Sequence, residues 1–354
     1  MQRRNITPRV AVAILNYNGL RWLQECLPSV MRSSYKELDV YVIDNGSSDG
    51  SVRYVESEYP AVKLITFKYN LGFAKAYNEA IRIIQADYVV LLNNDVRVLN
   101  DNWLDLLVKD AESDNSVAAV GCKLVSMQNH EILDSVGGMG IKYWRGFVDI
   151  GKNEPDTGQY DKPPVNPFSL CGAAMLVRRA SFEQINGFDE KFHSYLEDVD
   201  LCWRWRLVNY RLIYEPSARV AHFFSGTAKA KNVTPWTFYL SNRNLLRAII
   251  KNCGYSLNWA LRTYLLFATL LTLGFFIGEP TKARAMAQAL GWNLLNLKNT
   301  YAHRLLIQST RQASENEIIR KMYPNLPRFQ PKEHGDVRRI LNIIFDHEKN
   351  VDRQ

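Results

Sequence analysis

The feature that most constrains this chain is an alternation. Short β-rich apolar runs at residues 10–15, 38–43, 62–67, 88–95 and 117–122 are separated by polar turns and by helix-like stretches at 21–31, from Ser51, at 73–84 and at 103–111. Strands that alternate with helices at this spacing fold as a mostly parallel sheet with right-handed crossovers. The plainest strand is 88–95, YVVLLNND, in which five apolar or aromatic residues run straight into Asn93, Asn94 and Asp95. In an open α/β sheet the carboxyl ends of the strands face the ligand crevice. A carboxylate there can hold a hard divalent cation against a phosphate, so Asp95 is a candidate metal ligand. Its plainer reading is an N-cap or Asx-turn before the next helix.

The rhythm breaks at 128–168, which carries Gly, Pro and aromatic residues and reads as a hairpin or loop region. A strand resumes at 169–177 and a helix at 198–208. After about residue 228 helix-like runs dominate, and two regions are expected: a catalytic domain over 1–227 and a helical, basic, membrane-associated region over 228–354. Charge divides the same way. Residues 228–354 hold 19 Lys and Arg against 8 Asp and Glu, whereas the first 227 hold 25 against 28. Such a tail suits an anionic membrane face or is a solvated helical surface. It lacks the aromatic–basic interleaving of a nucleic-acid module, so no nucleic-acid partner is expected. Residues 263–278 are apolar throughout. As a helix they span roughly 24 Å, short of a hydrocarbon core of about 30 Å. A helix lying in or dipping into the membrane interface is expected, with a buried core helix as the alternative. The five cysteines are scattered and lack CxxC spacing, which fits reduced thiols in the cytosol. The N-terminal stretch has no apolar segment of signal-peptide type.

Three further groups carry candidate chemistry. Asp44 ends the second strand in VIDNGSSDGS; it can accept hydrogen bonds from a base or ribose, or serve simple turn chemistry. Glu197, Asp198 and Asp200 crowd the start of a helix. Like charges at that spacing repel, so one carboxylate could cap the helix or pair with Arg204 or Arg206 while another faces a cleft as a general base. His222 follows a strand-like run and is a metal ligand or a satisfied structural histidine. There is no GxxxxGK[ST] or GxGxxG loop, so a phosphate site must rest on metal and backbone.

Taken together, six segments resemble the inverting family 2 glycosyltransferases of the GT-A fold: VAVAILNYNG (10–19), VIDNGSSDGS (42–51), NLGFAKAYNEAI (70–81), LLNNDVRV (91–98), CGAAMLVRRASFEQINGFDEKFHSYLEDVDLCWR (171–204) and YEPSARVAHFFSGT (214–227). Within that family the chain resembles the rhamnosyltransferase-like branch, whose helical tail is similar to YLSNRNLLR (239–247) and WNLLNLKNTYAHRLLIQSTR (292–311). The implied fold is a Rossmann-like, mostly parallel mixed sheet flanked by helices, with a helical C-terminal extension.

The resemblance also implies roles. Asp44 would contact the nucleotide base, with Asn16 and Asn18 lining the same pocket and Asn93 and Asn94 beside the nucleotide sugar. Asp95 takes the last position of the family's DxD-type metal motif, and Asn93 stands where a second carboxylate is usual. His222 matches a position that completes coordination of Mg²⁺ or Mn²⁺ in some relatives. Asp198 matches the catalytic base, with Glu197 as the neighbouring alternative, and Gly172 and Ala173 would lie beside the acceptor or donor sugar. No QxxRW motif of processive synthases follows residue 204, which implies addition of one sugar. The expected reaction moves a sugar from a nucleoside diphosphate, dTDP-rhamnose or similar, to a lipid-linked or polysaccharide acceptor at the inner face of the plasma membrane. A sugar-phosphate nucleotidyltransferase and a non-catalytic scaffold binding sugar nucleotide or membrane are the alternatives. The former usually has a Gly-rich basic loop where this chain has Asn16-Tyr17-Asn18-Gly19-Leu20.

Overall fold

The structure is a computed structural model that describes residues 7–141, 144–162, 165–223 and 234–323. Residues 228–233 and 324–354 of the expected extension lie outside the described residues.

The alternation becomes an α/β/α sandwich. Strands β1 (Val10–Asn16), β2 (Leu38–Asp44), β3 (Lys63–Thr66) and β4 (Tyr88–Asn93) are linked by helices α1 (Leu20–Met31), α2 (Ser51–Glu58) and α3 (Phe73–Ile83). They pair in parallel, with β1 between β2 and β4. A short β5 (Val96–Val98), α4 (Trp103–Glu112) and β6 (Val117–Ser126) follow. The sheet runs β3-β2-β1-β4-β10-β6-β11-β5, with β7 (Leu133–Ser135) beside β6. Strand β10 (Ala174–Arg178) enters antiparallel to both β4 and β6, while β11 (Arg211–His222) lies parallel to β6 and antiparallel to β5. Between β7 and β10 the chain forms a hairpin of β8 (Gly138–Ile141) and β9 (Gly146–Asp149), as the Gly-rich composition of 128–168 leads one to expect.

Strand residues alternate between two cores, as a period of two demands. Val10, Val12, Ile14, Val90 and Leu92 pack with Leu23, Leu27, Leu104 and Leu107 of α1 and α4. Ala11, Ala13, Val89, Leu91, Met175 and Val177 pack on the other face with Tyr77, Ile81, Leu201 and Trp205 of α3 and α6 (Glu197–Leu207). Both faces are covered, so the runs read as apolar throughout.

Two boundaries differ from expectation. Strand β4 stops at Asn93, because Asn94 and Asp95 turn the chain into β5. Asp95 therefore precedes a strand and caps no helix. The strand expected at 169–177 starts only at Ala174, and Ser169 contributes just an isolated bridge to Gly138. All five cysteines are free thiols.

Helices α7 (Pro235–Asn252), α8 (Leu257–Gly278), α9 (Pro280–Leu295), α10 (Leu297–Thr310) and α11 (Glu315–Met322) complete the described chain. Thr234 caps α7 by accepting from Thr237 N at 3.1 Å, with Pro235 in the first turn, and Ser314 and Glu317 form a capping box on α11. These helices pack on the sheet domain through charge. Arg247 grips Asp189 with two hydrogen bonds of 2.8 and 3.1 Å. Lys251 Nζ binds Asp189 and, at 3.0 Å, Asp200 of α6, which also accepts from Asn252 at 2.9 Å and Arg204 at 2.8 Å. Burial opposes ionisation of Asp200, yet Lys251 and Arg204 hold its carboxyl below the usual range.

Both Lys251 and Asp200 are fully buried. Removing one charge from such a set leaves the others uncompensated. Lys251→Ala is expected to destabilise the fold by about 3–5 kcal/mol in urea unfolding. Arg82→Ala, which breaks the exposed Arg82–Glu79 pair, is expected to change stability by no more than about 1 kcal/mol.

Candidate active site

The carboxyl ends of β1, β2 and β4 lie side by side, and the register brings Asn16 level with Asp44 and Leu15 level with Asn93. Asp44 is buried. It accepts from Asn16 Nδ2 at 3.2 Å and from Ser47 N at 2.9 Å. Asn18, left-handed at φ 48°, donates its N–H to Ser47 Oγ at 2.9 Å and accepts from Ser48 N at 2.8 Å. The two loops thus form one cross-bonded rim around Asp44. Asn94 Nδ2 extends it by donating to Asn16 Oδ1 at 2.7 Å. Gly19 makes that bond possible: a Cβ there would stand 2.0 Å from Asn94 Nδ2 and 2.6 Å from Asn16 Oδ1.

Asp95 faces the end of β11. Its carbonyl accepts from Phe223 N at 2.9 Å, and its Oδ1 lies 3.6 Å from His222 Nε2. The other ring nitrogen, Nδ1, is 2.7 Å from Asp134 Oδ2. Burial alone would lower the imidazole pKa, but the hydrogen bond to Asp134 and the nearby Asp95 carboxylate outweigh it and raise it to about 9. A carboxylate behind a histidine, with the second nitrogen facing another carboxylate, is the pattern of a metal-binding imidazole. At ligand distances of about 2.0–2.2 Å, two donors this far apart can share one ion. They are only two. Among the described residues, no group of three or more His, Cys, Asp or Glu side chains is arranged to hold an ion. The residues fit a cation whose remaining ligands come from a bound diphosphate or water.

Asp198 sits in the first turn of α6 and is half-buried. Its Oδ2 accepts from Gly172 N at 2.9 Å and its Oδ1 from Val199 N at 2.7 Å. Burial pushes the carboxyl up, the two N–H groups pull it back, and the charge of Asp149 adds to the rise, leaving it at about 6. Gly172 and Ala173 lie just before β10, and Ala173 O accepts from Asn93 N at 3.0 Å. A short bonded path thus runs from the Asn93–Asp95 turn through 172–173 to Asp198. Glu197 makes no comparable contacts. It is buried, its Oε2 has no hydrogen-bond partner, and burial followed by the neighbouring Asp198 charge holds it well above the usual carboxylate range. Asp200 belongs to the ion-pair set described above. The sequence-level pairing with Arg204 is present, but Arg206 bonds the Phe168 carbonyl instead. No side chain caps α6, whose N-cap is Leu196.

The turn that delivers Asp198 is strained. His193, Tyr195 and Leu196 have φ of 64°, 70° and 64°, a region that costs a non-glycine residue about 1–3 kcal/mol. Gly72 accommodates it: a Cβ at that position would lie 2.1 Å from His193 Nδ1. The His193 carbonyl accepts from Phe73 N at 2.8 Å at the start of α3.

Sequence reading missed a second set of residues, in the segment treated as a loop. Lys152 Nζ lies 3.4 Å from Asp134 and 3.7 Å from Asp149, and Ser135 Oγ donates to Asp149 at 2.8 Å. Burial holds Asp149 above the usual carboxylate range. No spacing in the sequence marks these residues, because the hairpin brings them together.

A family model described as "Glycosyl transferase family 2" matches residues 11–185, and one described as "N-terminal domain of galactosyltransferase" matches 160–226. The chain is 28% identical over 237 residues to an N-acetylglucosaminyl-diphospho-decaprenol L-rhamnosyltransferase of Mycobacterium tuberculosis, covering 61% of this chain and 76% of the relative. It is 32% identical over 216 residues to a pre-mycofactocin glycosyltransferase of the same species, covering 58% of this chain and 40% of that relative. In fold it is similar to Staphylococcus aureus TarS 1-349 in complex with UDP-GlcNAc, at a TM-score of 0.55 and 16% identity over 85% of this chain and 87% of that one. It is also similar to a Pyrobaculum calidifontis mannosyltransferase in complex with GDP-Man and Mn²⁺, at 0.50 and 18% over 91% and 89%. The sheet order, the matched models and these relatives agree: the chain carries a family 2 glycosyltransferase domain, has the GT-A fold, and is rhamnosyltransferase-like.

Proposed function

We propose that this enzyme transfers one sugar, with inversion, from a nucleoside diphosphate to a lipid-linked or glycan acceptor in cell-surface polysaccharide synthesis. dTDP-rhamnose is the favoured donor, and the M. tuberculosis relative, named for a decaprenol-linked acceptor, supports a polyprenyl-diphosphate-linked N-acetylglucosamine as acceptor. The observation that carries the reading is Asp198: a half-buried carboxylate held near neutrality by burial and gripped by two backbone N–H groups.

Each part of the chain has a role in this reading. Asp44, Asn16 and Asn18 bind the nucleoside, and the Asn16–Asn94 bond sets that pocket against the Asn93–Asp95 turn. Gly172 and Ala173 bring the sugar-facing backbone beside Asp198. Asp198 removes the proton of the acceptor hydroxyl as its oxygen attacks the anomeric carbon, and the bond from that carbon to the diphosphate breaks on the opposite face. One displacement inverts the centre, and no sugar–enzyme bond is formed. Asp95 and His222 would hold a divalent cation, Mg²⁺ or Mn²⁺, which supplies charge neutralisation for the departing diphosphate. Glu197, buried and unpaired, is a poor proton acceptor for a substrate and is not assigned the base role.

Membrane contact belongs to the same proposal, since the acceptor is lipid-linked. Helix α8 turns Ala260, Tyr264 and Ala268 inward and exposes Leu265, Leu266, Leu270 and Leu273 on its outer face, with Arg262 also exposed. Among the described residues no helix is long and apolar enough to cross a membrane. A helix apolar all round with one face uncovered fits the bilayer interface, and the basic balance of this region fits anionic lipid.

Four outcomes are expected. Asp198→Asn abolishes nucleoside diphosphate release by about 10²–10⁴-fold while nucleotide binding, read by calorimetry, survives. In the parent enzyme kcat/KM rises with pH through about 6, because the base acts only when deprotonated. Transfer undiminished in the variant would remove Asp198 from the mechanism, whereas nucleotide binding with no transfer by the parent would favour a scaffold. Chelation is expected to slow transfer on the order of a hundredfold, with recovery on adding Mn²⁺ or Mg²⁺; full activity in chelator would dismiss the Asp95–His222 ion. In flotation assays the protein is expected to rise with phosphatidylglycerol vesicles, and Leu266→Asp with Leu270→Asp to reduce this about tenfold or more. Equal flotation of parent and variant would place the lipid contact off α8.

A further inference from the structure

The strained turn before Asp198 is fastened almost entirely by helix α7, outside the region matched by either family model. Asn244 is fully buried. Its amide nitrogen donates to the carbonyls of Phe192 at 3.0 Å, Ser194 at 2.8 Å and Tyr195 at 2.7 Å. Arg243 reaches the same loop, bonding Lys191 O at 3.0 Å and Phe192 O at 2.6 Å, and its Nε donates to Asn244 Oδ1 at 2.8 Å. One helical turn on, Arg247 holds Asp189; a further turn on, Lys251 and Asn252 hold Asp200. Each of these four α7 side chains and Asn252 therefore reaches residues 189–200, which bracket Asp198, and Arg247 also bonds Thr300 of α10.

The arrangement has a direction. Left-handed backbone at His193, Tyr195 and Leu196 persists only where its surroundings over-determine it. The carbonyls of 192, 194 and 195 converge on one nitrogen because the backbone between them reverses, and an extended loop could not present all three to it. On the opposite side the loop rests on Gly72 and the first N–H groups of α3. Asn244 is thus the wedge that keeps the turn closed, and the turn sets where α6 begins and where the Asp198 carboxylate meets Gly172 N.

We propose that Asn244 is a positioning residue for the catalytic base, so that α7 is a working part of the active site rather than an appendage to it. The inference rests on the assignment of Asp198 as base. Asn244 touches neither substrate nor reacting atoms in this view. Its loss lets the turn relax, and Asp198 moves off the line of attack while the nucleotide pocket around Asp44, built on β1 and β2, is undisturbed.

The test compares Asn244→Ala and Asn244→Ser with the parent, using dTDP-rhamnose or whichever sugar nucleotide the parent turns over. Asn244→Ala is expected to lose about 10- to 100-fold in kcat per folded molecule, the scale of a misplacement near 1 Å. Donor KM and nucleoside diphosphate affinity are expected to stay within about twofold of the parent. Asn244→Ser keeps one hydroxyl donor and is expected to fall between the two, and it decides the matter if the alanine variant does not fold. A kcat that merely follows the folded fraction, or a loss shared equally by nucleotide affinity and kcat, would overturn the proposal. Asp198→Asn run alongside separates the two claims. If that variant is active the base assignment fails; if it is inactive while both Asn244 variants turn over normally, only the positioning role fails.

Discussion

The buried charges Asp189, Arg247, Lys251, Asp200 and Arg204 are the interaction on which the rest of the structure depends. Four elements meet there: the loop after α5 (Arg179–Gln184), the helix α6 that follows it, helix α7 and, through the 2.7 Å bond from Arg247 to Thr300, helix α10. Placing several ions in a dry interior is favourable only when every partner is in position. That all-or-none character makes the network a lock on geometry more than a source of net stability. It fixes both ends of the segment that carries Asp198, and the backbone strain at 193–196 is tolerable because the ends cannot move.

Much of this was legible in the sequence. The alternation of strands and helices, the strand ends at Asp44 and Asn93, and the helix at 197–207 follow from apolar periodicity and turn chemistry, because neighbouring residues determine them. Asp44 and Asp198 were singled out because each sits at a strand end or a helix start, whereas Asn16, Asn94 and Gly172 entered as candidates only through the family resemblance. The direction of β10 was not legible, since an apolar run reads alike in either direction. Asp134, Asp149 and Lys152 were hidden because a hairpin, not a motif, assembles them. The α7 clamp did leave a signal. Arg243, Arg247 and Lys251 recur every four residues along one face of the helix beside Leu246, Ile249 and Ile250, a stripe that calls for counter-charges; the basic tail was read instead as a surface for lipid or solvent.

Two carboxylates in the site are set by opposite environments. Asp134 has His222 and Lys152 within bonding distance, and these outweigh its burial and hold it ionised below the usual range. Asp198 has only neutral N–H partners and Asp149 as a charged neighbour, so burial dominates and lifts it. One fold thereby supplies a permanently charged carboxylate and another poised near neutral pH, the one proposed above as the proton acceptor. Divergent environments of this kind mark where acid–base assignments belong.

The antiparallel entry of β10 has a consequence for how such a chain can vary. Its register against β4 is what places Gly172 N, and not Cys171 N, under the Asp198 carboxylate. A slip of one residue would turn every side chain of β10 to the opposite face, so this strand cannot absorb an added or deleted residue. The stretch 156–162 before it belongs to no strand. Length changes there are taken up before the register begins. The wall beside Asp149 and Lys152 can therefore be reshaped while the Asp198 carboxylate stays where it is, which gives the scaffold a place to change what it recognises without disturbing the strand ends.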